Sequence, residues 1–120
     1  MLKKENYINV TPHEVTLQTK EGEVFTVAPS GTVINARPTE VSAGIHPSGV
    51  ELVRTIFVAD QAGKDALDNI YAETPDAVVL GSIIAAQAYP GRVLSMVPVP
   101  GFVRVPPDQK RMRADKFTTF

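Results

Sequence analysis

The 120-residue chain predicts an α+β fold, an antiparallel β-rich single domain with two short helices. Three observations predict it. Apolar and polar residues alternate through the first half, turns containing Gly or Pro interrupt that alternation at short intervals, and behind Asp60 and Ser82 the apolar period lengthens to that of a helix. With 43% hydrophobic and 21% charged residues, the composition is that of an ordinary globular protein, long enough for one real core and too short for two.

Strands are expected near 7 to 10, 14 to 19, 23 to 28, 32 to 36, 40 to 46 and 49 to 59. Thr11-Pro12 ends the first, because the residue before a proline is pushed out of the helical region. Glu21-Gly22, Pro29-Ser30-Gly31 and His46-Pro47-Ser48-Gly49 then supply three turns, each with a glycine where a positive φ costs little. Consecutive strands joined this way are expected to be antiparallel.

From Asp60, a suitable N-cap, Ala62, Ala66, Leu67 and Ile70 recur at helical spacing, so a short amphipathic helix is expected up to about Tyr71, stopped by Thr74-Pro75. Ala77 to Leu80 reads as a short buried strand. Ser82 caps a second helix of small residues that ends at Pro90-Gly91. Beyond it, Pro98, Pro100, Pro106 and Pro107 allow edge strands or extended segments but no central strand. The organisation expected is a β-rich globular domain over 1–103 and a basic C-terminal extension over 104–120.

Charge supports that division. Residues 1 to 103 hold seven Lys/Arg against eleven Asp/Glu, whereas 104 to 120 hold five against two, within a net charge of −1. Such a balance gives no electrostatic case for binding a nucleic-acid polymer, and the basic end is either a solvated tail or a place for an anionic partner. No apolar run reaches the length of a membrane helix, and Lys3-Lys4-Glu5 is polar where a signal peptide would be apolar, so neither membrane nor export is expected and the cytosol is the expected compartment. With no cysteine and two histidines, thiolate sites, a cysteine nucleophile and a histidine-rich metal cluster are excluded; no metal and no cofactor are expected.

Enzyme signatures are also missing. Gly81-Ser82 lacks the second glycine of a nucleophile elbow, and there is no phosphate-binding loop or zinc-binding His-Glu-x-x-His. His13 and Glu14 are adjacent, so on a strand they face opposite ways. No catalytic residue is expected. What stands out is a set of separated arginines: Arg37, Arg54, Arg92, Arg104, Arg111 and Arg113. A guanidinium presents a planar fork of donors that grips phosphate bidentately and stacks on purine faces. Arg54 shares strand parity with Leu52 and Ile56, and an arginine on an apolar face needs a carboxylate, a carbonyl or an anionic ligand. Parity excludes Glu51 as its partner and leaves Glu40 or Glu23 against a ligand. Arg92 projects from the loop after the small-residue helix, close to Gln87.

The run Asn9-Val10-Thr11-Pro12-His13 with Pro29-Ser30-Gly31, an arginine ahead of an aromatic at Arg54 and Phe57, and the small helix Ser82 to Ala86 resemble a phage and prophage family that includes the Thoeris anti-defence sponges. These sponges bind cyclic nucleotide immune signals without cleaving them. The resemblance implies a pocket at a dimer interface, with dimers assembling further into hexamers, in the cytoplasm of an infected bacterial host. The ligand expected is a cyclic ADP-ribose isomer or a cyclic oligonucleotide. Arg37, Arg54 and Ala86-Gln87 are the nearest matches to the family's pocket residues, and Arg92 and Arg104 complete the expected set. Two departures bear on the ligand: Gln87 replaces a smaller polar residue, and the strand before Ser82 has no aromatic for base stacking. The alternative is a phage structural or accessory virion protein, favoured by the edge-like prolines and the basic tail.

Overall fold

The structure is a computed structural model that describes residues 6–106 and 109–120. Its elements are β1 (Tyr7–Asn9), β2 (Val15–Gln18), β3 (Val24–Val27), β4 (Arg37–Ile45), β5 (Glu51–Val58), α1 (Gln61–Glu73), β6 (Val78–Gly81), α2 (Ile83–Ala88), β7 (Leu94–Pro98) and β8 (Met112–Thr118). Six strands form one sheet in the order β1-β6-β7-β8-β2-β3, and β4 and β5 pair only with each other. The fold is α+β, strand-rich, with two helices in one small domain.

The sheet is mixed rather than antiparallel. β1 with β6, β6 with β7 and β2 with β8 run parallel, and only β2–β3 and β7–β8 run antiparallel. Parallel neighbours need crossovers, and α1 and α2 supply them. The sheet curls until its two outer strands meet. Asn9 bridges Pro29, and the Ser30 amide donates to the Asn9 carbonyl at 2.9 Å. Tyr7, Leu17, Val27, Val78, Leu80 and Ala114 fill the inside of the curl. The Tyr7 ring lies 5.6 Å from that of Phe25, and its hydroxyl donates across the interior to the Ala114 carbonyl at 3.1 Å. On the outer side Val10, Ile34, Val79 and Val93 receive Leu67 of α1 and Ala85, Ala86 and Tyr89 of the α2 region. All four residues of β6 are buried, which is why Val78-Val79-Leu80 is an unbroken apolar run instead of an alternation.

Both helix starts lie where the sequence places them. The Asp60 carboxylate accepts from the Gly63 amide at 2.7 Å, and the Ser82 hydroxyl accepts from the Ala85 amide at 3.0 Å. The expected strand over 32–36 is absent. That segment follows Pro29-Ser30-Gly31 as extended chain, pinned where the Ile34 amide donates to the Val10 carbonyl at 3.0 Å. The basic C-terminal extension over 104–120 is corrected as well: within it, β8 is an inner strand between β7 and β2. Its charges lie outside, where Arg113 and Asp115 form a two-bond pair at 3.0 and 2.8 Å, while Ala114 points in. β7 is likewise interior. Pro98 is tolerated because it is the last residue of that strand, past the two residues that pair with β6.

Candidate functional site

β4 and β5 make a two-stranded arm. Every residue of β4 is exposed, and of β5 only Phe57 is partly covered, near the base where the arm meets α2. The turn at the tip closes with the Gly49 amide donating to the His46 carbonyl and the His46 amide to Val50, both at 2.8 Å, and Gly49 takes a φ of 94°. β-Branched residues at Val41, Val53, Thr55, Ile56 and Val58 favour the extended ribbon. Beyond its base, no second layer covers it among the described residues.

The register decides which side chains share a face. Arg37 lies opposite Val58, Thr39 opposite Ile56, and Val41 opposite Arg54. Paired residues project to the same side, so Arg37 and Arg54 stand on one face with Val41, Leu52, Ile56 and Val58. Glu40, opposite Thr55, and Glu51, opposite Ile45, stand on the other. The arm therefore has an arginine face and an acidic face. Neither Arg37 nor Arg54 has a carboxylate partner among the described residues, whose two ion pairs are Arg92–Asp68 and Arg113–Asp115. The choice between an ion pair and a ligand at Arg54 thus stands without an ion pair among the described residues: Glu40 is on the far face, and Glu23 lies just ahead of β3 in the sheet.

The remaining expected residues are dispersed. Arg92 donates to Asp68 at 2.6 Å and lies 5.6 Å from the centre of the Tyr71 ring, whose hydroxyl bonds the Arg92 carbonyl, so it ties the end of α2 to α1. Ala86 is wholly buried on the inner side of α2, packed into the core and lining no pocket, while its neighbour Gln87 reaches the surface. Arg104 is exposed in the loop after β7. The structure brings together Arg37 and Arg54 and leaves the others apart within one chain.

Arg111 lies 4.9 Å from the centre of the Phe102 ring and donates to Gln18 at 3.2 Å, holding the loop after β7 against the sheet. The Asn9 to His13 run is occupied internally. Asn9, fully buried, donates to the carbonyls of His13 at 2.7 Å and Val27 at 3.1 Å, and accepts from the amide and hydroxyl of Thr11 at 2.9 and 2.6 Å. The motif that carries the family resemblance is the lock of the sheet's seam. Its signal was readable: an asparagine in an apolar strand, two residues before Thr-Pro, is placed for a side-chain turn.

A groove of about 400 Å3 opens between 32–35 and the start of α1, lined by Thr32, Asn35, Asp60, Gly63 and neighbours. It contains a carboxylate and no cation, and is no phosphate site. Among the described residues there is no group of three His, Asp or Glu that could hold a metal, and no helix is long and apolar enough to cross a membrane. Comparison with models of known protein families, with curated proteins and with solved structures returns no match.

Proposed function

We propose that the protein is a phage anti-defence sponge that binds and sequesters a cyclic nucleotide immune signal, a cyclic ADP-ribose isomer or a cyclic oligonucleotide, without cleaving it, in the cytoplasm of an infected bacterium. The observation that carries this reading is the arginine face of the arm. Arg37 and Arg54 are two guanidiniums without an ion-pair partner among the described residues, on an exposed apolar surface with the arm's own acids, Glu40 and Glu51, on the opposite side. Phosphates satisfy the forks and the apolar residues accept a base or ribose. A single arm is open on both sides, so enclosing a ligand requires further copies, in keeping with a homodimer or hexamer. The resemblance of Asn9 to His13 and Pro29 to Gly31 to the sponge family supports the same reading.

The virion reading loses support from the C-terminal segment, in which Met112–Thr118 is an inner strand of the sheet rather than part of a free tail. The test is recovery of ligand. Protein mixed with a cyclic ADP-ribose isomer, separated from free ligand and heat-denatured, should release the compound unchanged on chromatography. A linearised or hydrolysed product would place the protein among the enzymes.

A further inference from the structure

We infer that the open edge of β5 pairs with the β5 edge of a second copy of this chain, antiparallel about a two-fold axis, so that two arms become one four-stranded sheet in the order β4-β5-β5-β4. The hydrogen bonds at the tip of the arm define which backbone groups are free. The Val50 carbonyl accepts from the His46 amide at 2.8 Å and so points towards β4. Backbone groups alternate sides along a strand, and the amides and carbonyls of Glu51, Val53 and Thr55 therefore point away from β4. Among the described residues no other strand pairs with β5, and Glu51 to Ile56 are all exposed.

The two edges of the arm are not alike. By the same alternation Pro38, opposite Phe57, has its nitrogen on the outer edge of β4, where it offers no donor, and the bulge between Ser42 and Gly44 is also in β4. Prolines and bulges blunt an edge strand against pairing. β5 has neither: its register runs unbroken from Glu51 to Val58, with no proline or glycine. A lone two-stranded ribbon is marginal in water, and an antiparallel edge complements its own copy, as a two-fold interface between identical chains requires.

Charge and length select the register. About such an axis one residue of β5 lies opposite its own copy, and like charges directly opposite repel, which removes Arg54 and Glu51 as the centre. Centring on Val53 or Thr55 would carry Pro47 at the turn past the end of the other β5 and into the body. Leu52 as centre keeps Pro47 opposite the partner's Phe57, sets Glu51 opposite the partner's Val53 and Arg54 opposite the partner's Val50, and brings no like charges together. The two copies of Val58 at the bases then lie about 40 Å apart, twelve positions at about 3.3 Å each, so the bodies sit at opposite ends. A two-fold axis perpendicular to the sheet keeps both arginine faces on one side, so Arg37 and Arg54 of the two copies share a surface. The pairing does not depend on cyclic-nucleotide binding, although it enlarges the surface proposed for it.

The test combines sedimentation velocity with cross-linking. Val53→Pro removes an outward amide that makes no bond to β4, and it should associate at least tenfold more weakly than the wild type, which should self-associate at micromolar concentration. A monomeric wild type, or equal association by Val53→Pro, would overturn the proposal. Cross-linking stands even if the proline variant misfolds. Leu52→Cys, in a chain with no other cysteine, faces itself in a non-hydrogen-bonded pair with Cα atoms about 4.5 Å apart, a separation that a disulfide spans. Mild oxidation should link it into dimers and leave Ile45→Cys, on β4 and 74% exposed, unlinked. No linkage of Leu52→Cys, or equal linkage of the two variants, would contradict the pairing.

Discussion

The side-chain amide of Asn9 donates to the Val27 carbonyl at 3.1 Å, joining β1 to β3, the two strands at opposite ends of the sheet order. One buried amide thereby helps close the sheet on itself. Its other bonds fix the Thr11 to His13 turn, so the side chain holds a tertiary seam and a local turn at once.

Asn9→Ala should therefore destabilise the protein by about 1–3 kcal/mol, because it takes the side-chain donor from the buried Val27 carbonyl and removes the acceptor for Thr11. Urea unfolding measures this. A loss below about 0.5 kcal/mol would mean that water replaces the side chain without cost.

Gly81 is fixed by contact rather than by conformation. A Cβ there would meet a Val93 methyl at 2.5 Å, within the core. Gly81→Ala should cost about 1–3 kcal/mol by overpacking, and Val93→Ala should relieve part of that cost. A double-mutant cycle tests the pair, and strict additivity would show that they do not compete for space.

Burial pushes the Tyr7 phenol above its ordinary range, with Asp115 adding to the shift. A group whose folded-state value is raised contributes stability that is present below the unfolded value and is lost as pH rises through the folded one. Stability should accordingly fall above about pH 10, and Tyr7→Phe should flatten that alkaline limb. In the acid range the opposite sign applies to Asp115, which its bonds to Arg113 hold below the usual carboxylate value. Its contribution is present above that value and lost as pH falls through the lowered one. Denaturation midpoints of wild type, Tyr7→Phe and Asp115→Asn against pH check both directions.

Much of this fold was legible where causes are local. Asp60 and Ser82 cap helices because a carboxylate or hydroxyl reaches the amide three residues on, a relationship contained in a few consecutive residues. Parallel pairing was not legible, since β1 finds β6 across most of the chain and no short-range pattern states it. β8 was misread because Arg113, Asp115 and Lys116 make the segment look like solvated tail, although Ala114 and Phe117 carry its inward contacts. At the candidate site, the arginine-bearing ribbon was readable from alternation. The clustering of Arg37 with Arg54, and of Glu40 with Glu51, came only from the register, in which a slip of one residue would exchange the faces.

Arg54 separates binding from stability. Being exposed and without an ion-pair partner among the described residues, it should be removable at little cost, so Arg54→Ala should shift the midpoint of thermal unfolding by less than about 2 °C. Ligand affinity should fall more than tenfold, as loss of a charged hydrogen bond worth roughly 1.5–3 kcal/mol requires.

The most direct measurement is calorimetric titration of the wild type and of Arg37→Ala/Arg54→Ala with a panel of cyclic ADP-ribose isomers and cyclic di- and trinucleotides. Micromolar or tighter binding of at least one member by the wild type, a free energy of roughly −8 kcal/mol or better, and loss of that heat in the folded double variant is the predicted result. No heat from any member, or equal binding by the two proteins, would contradict it.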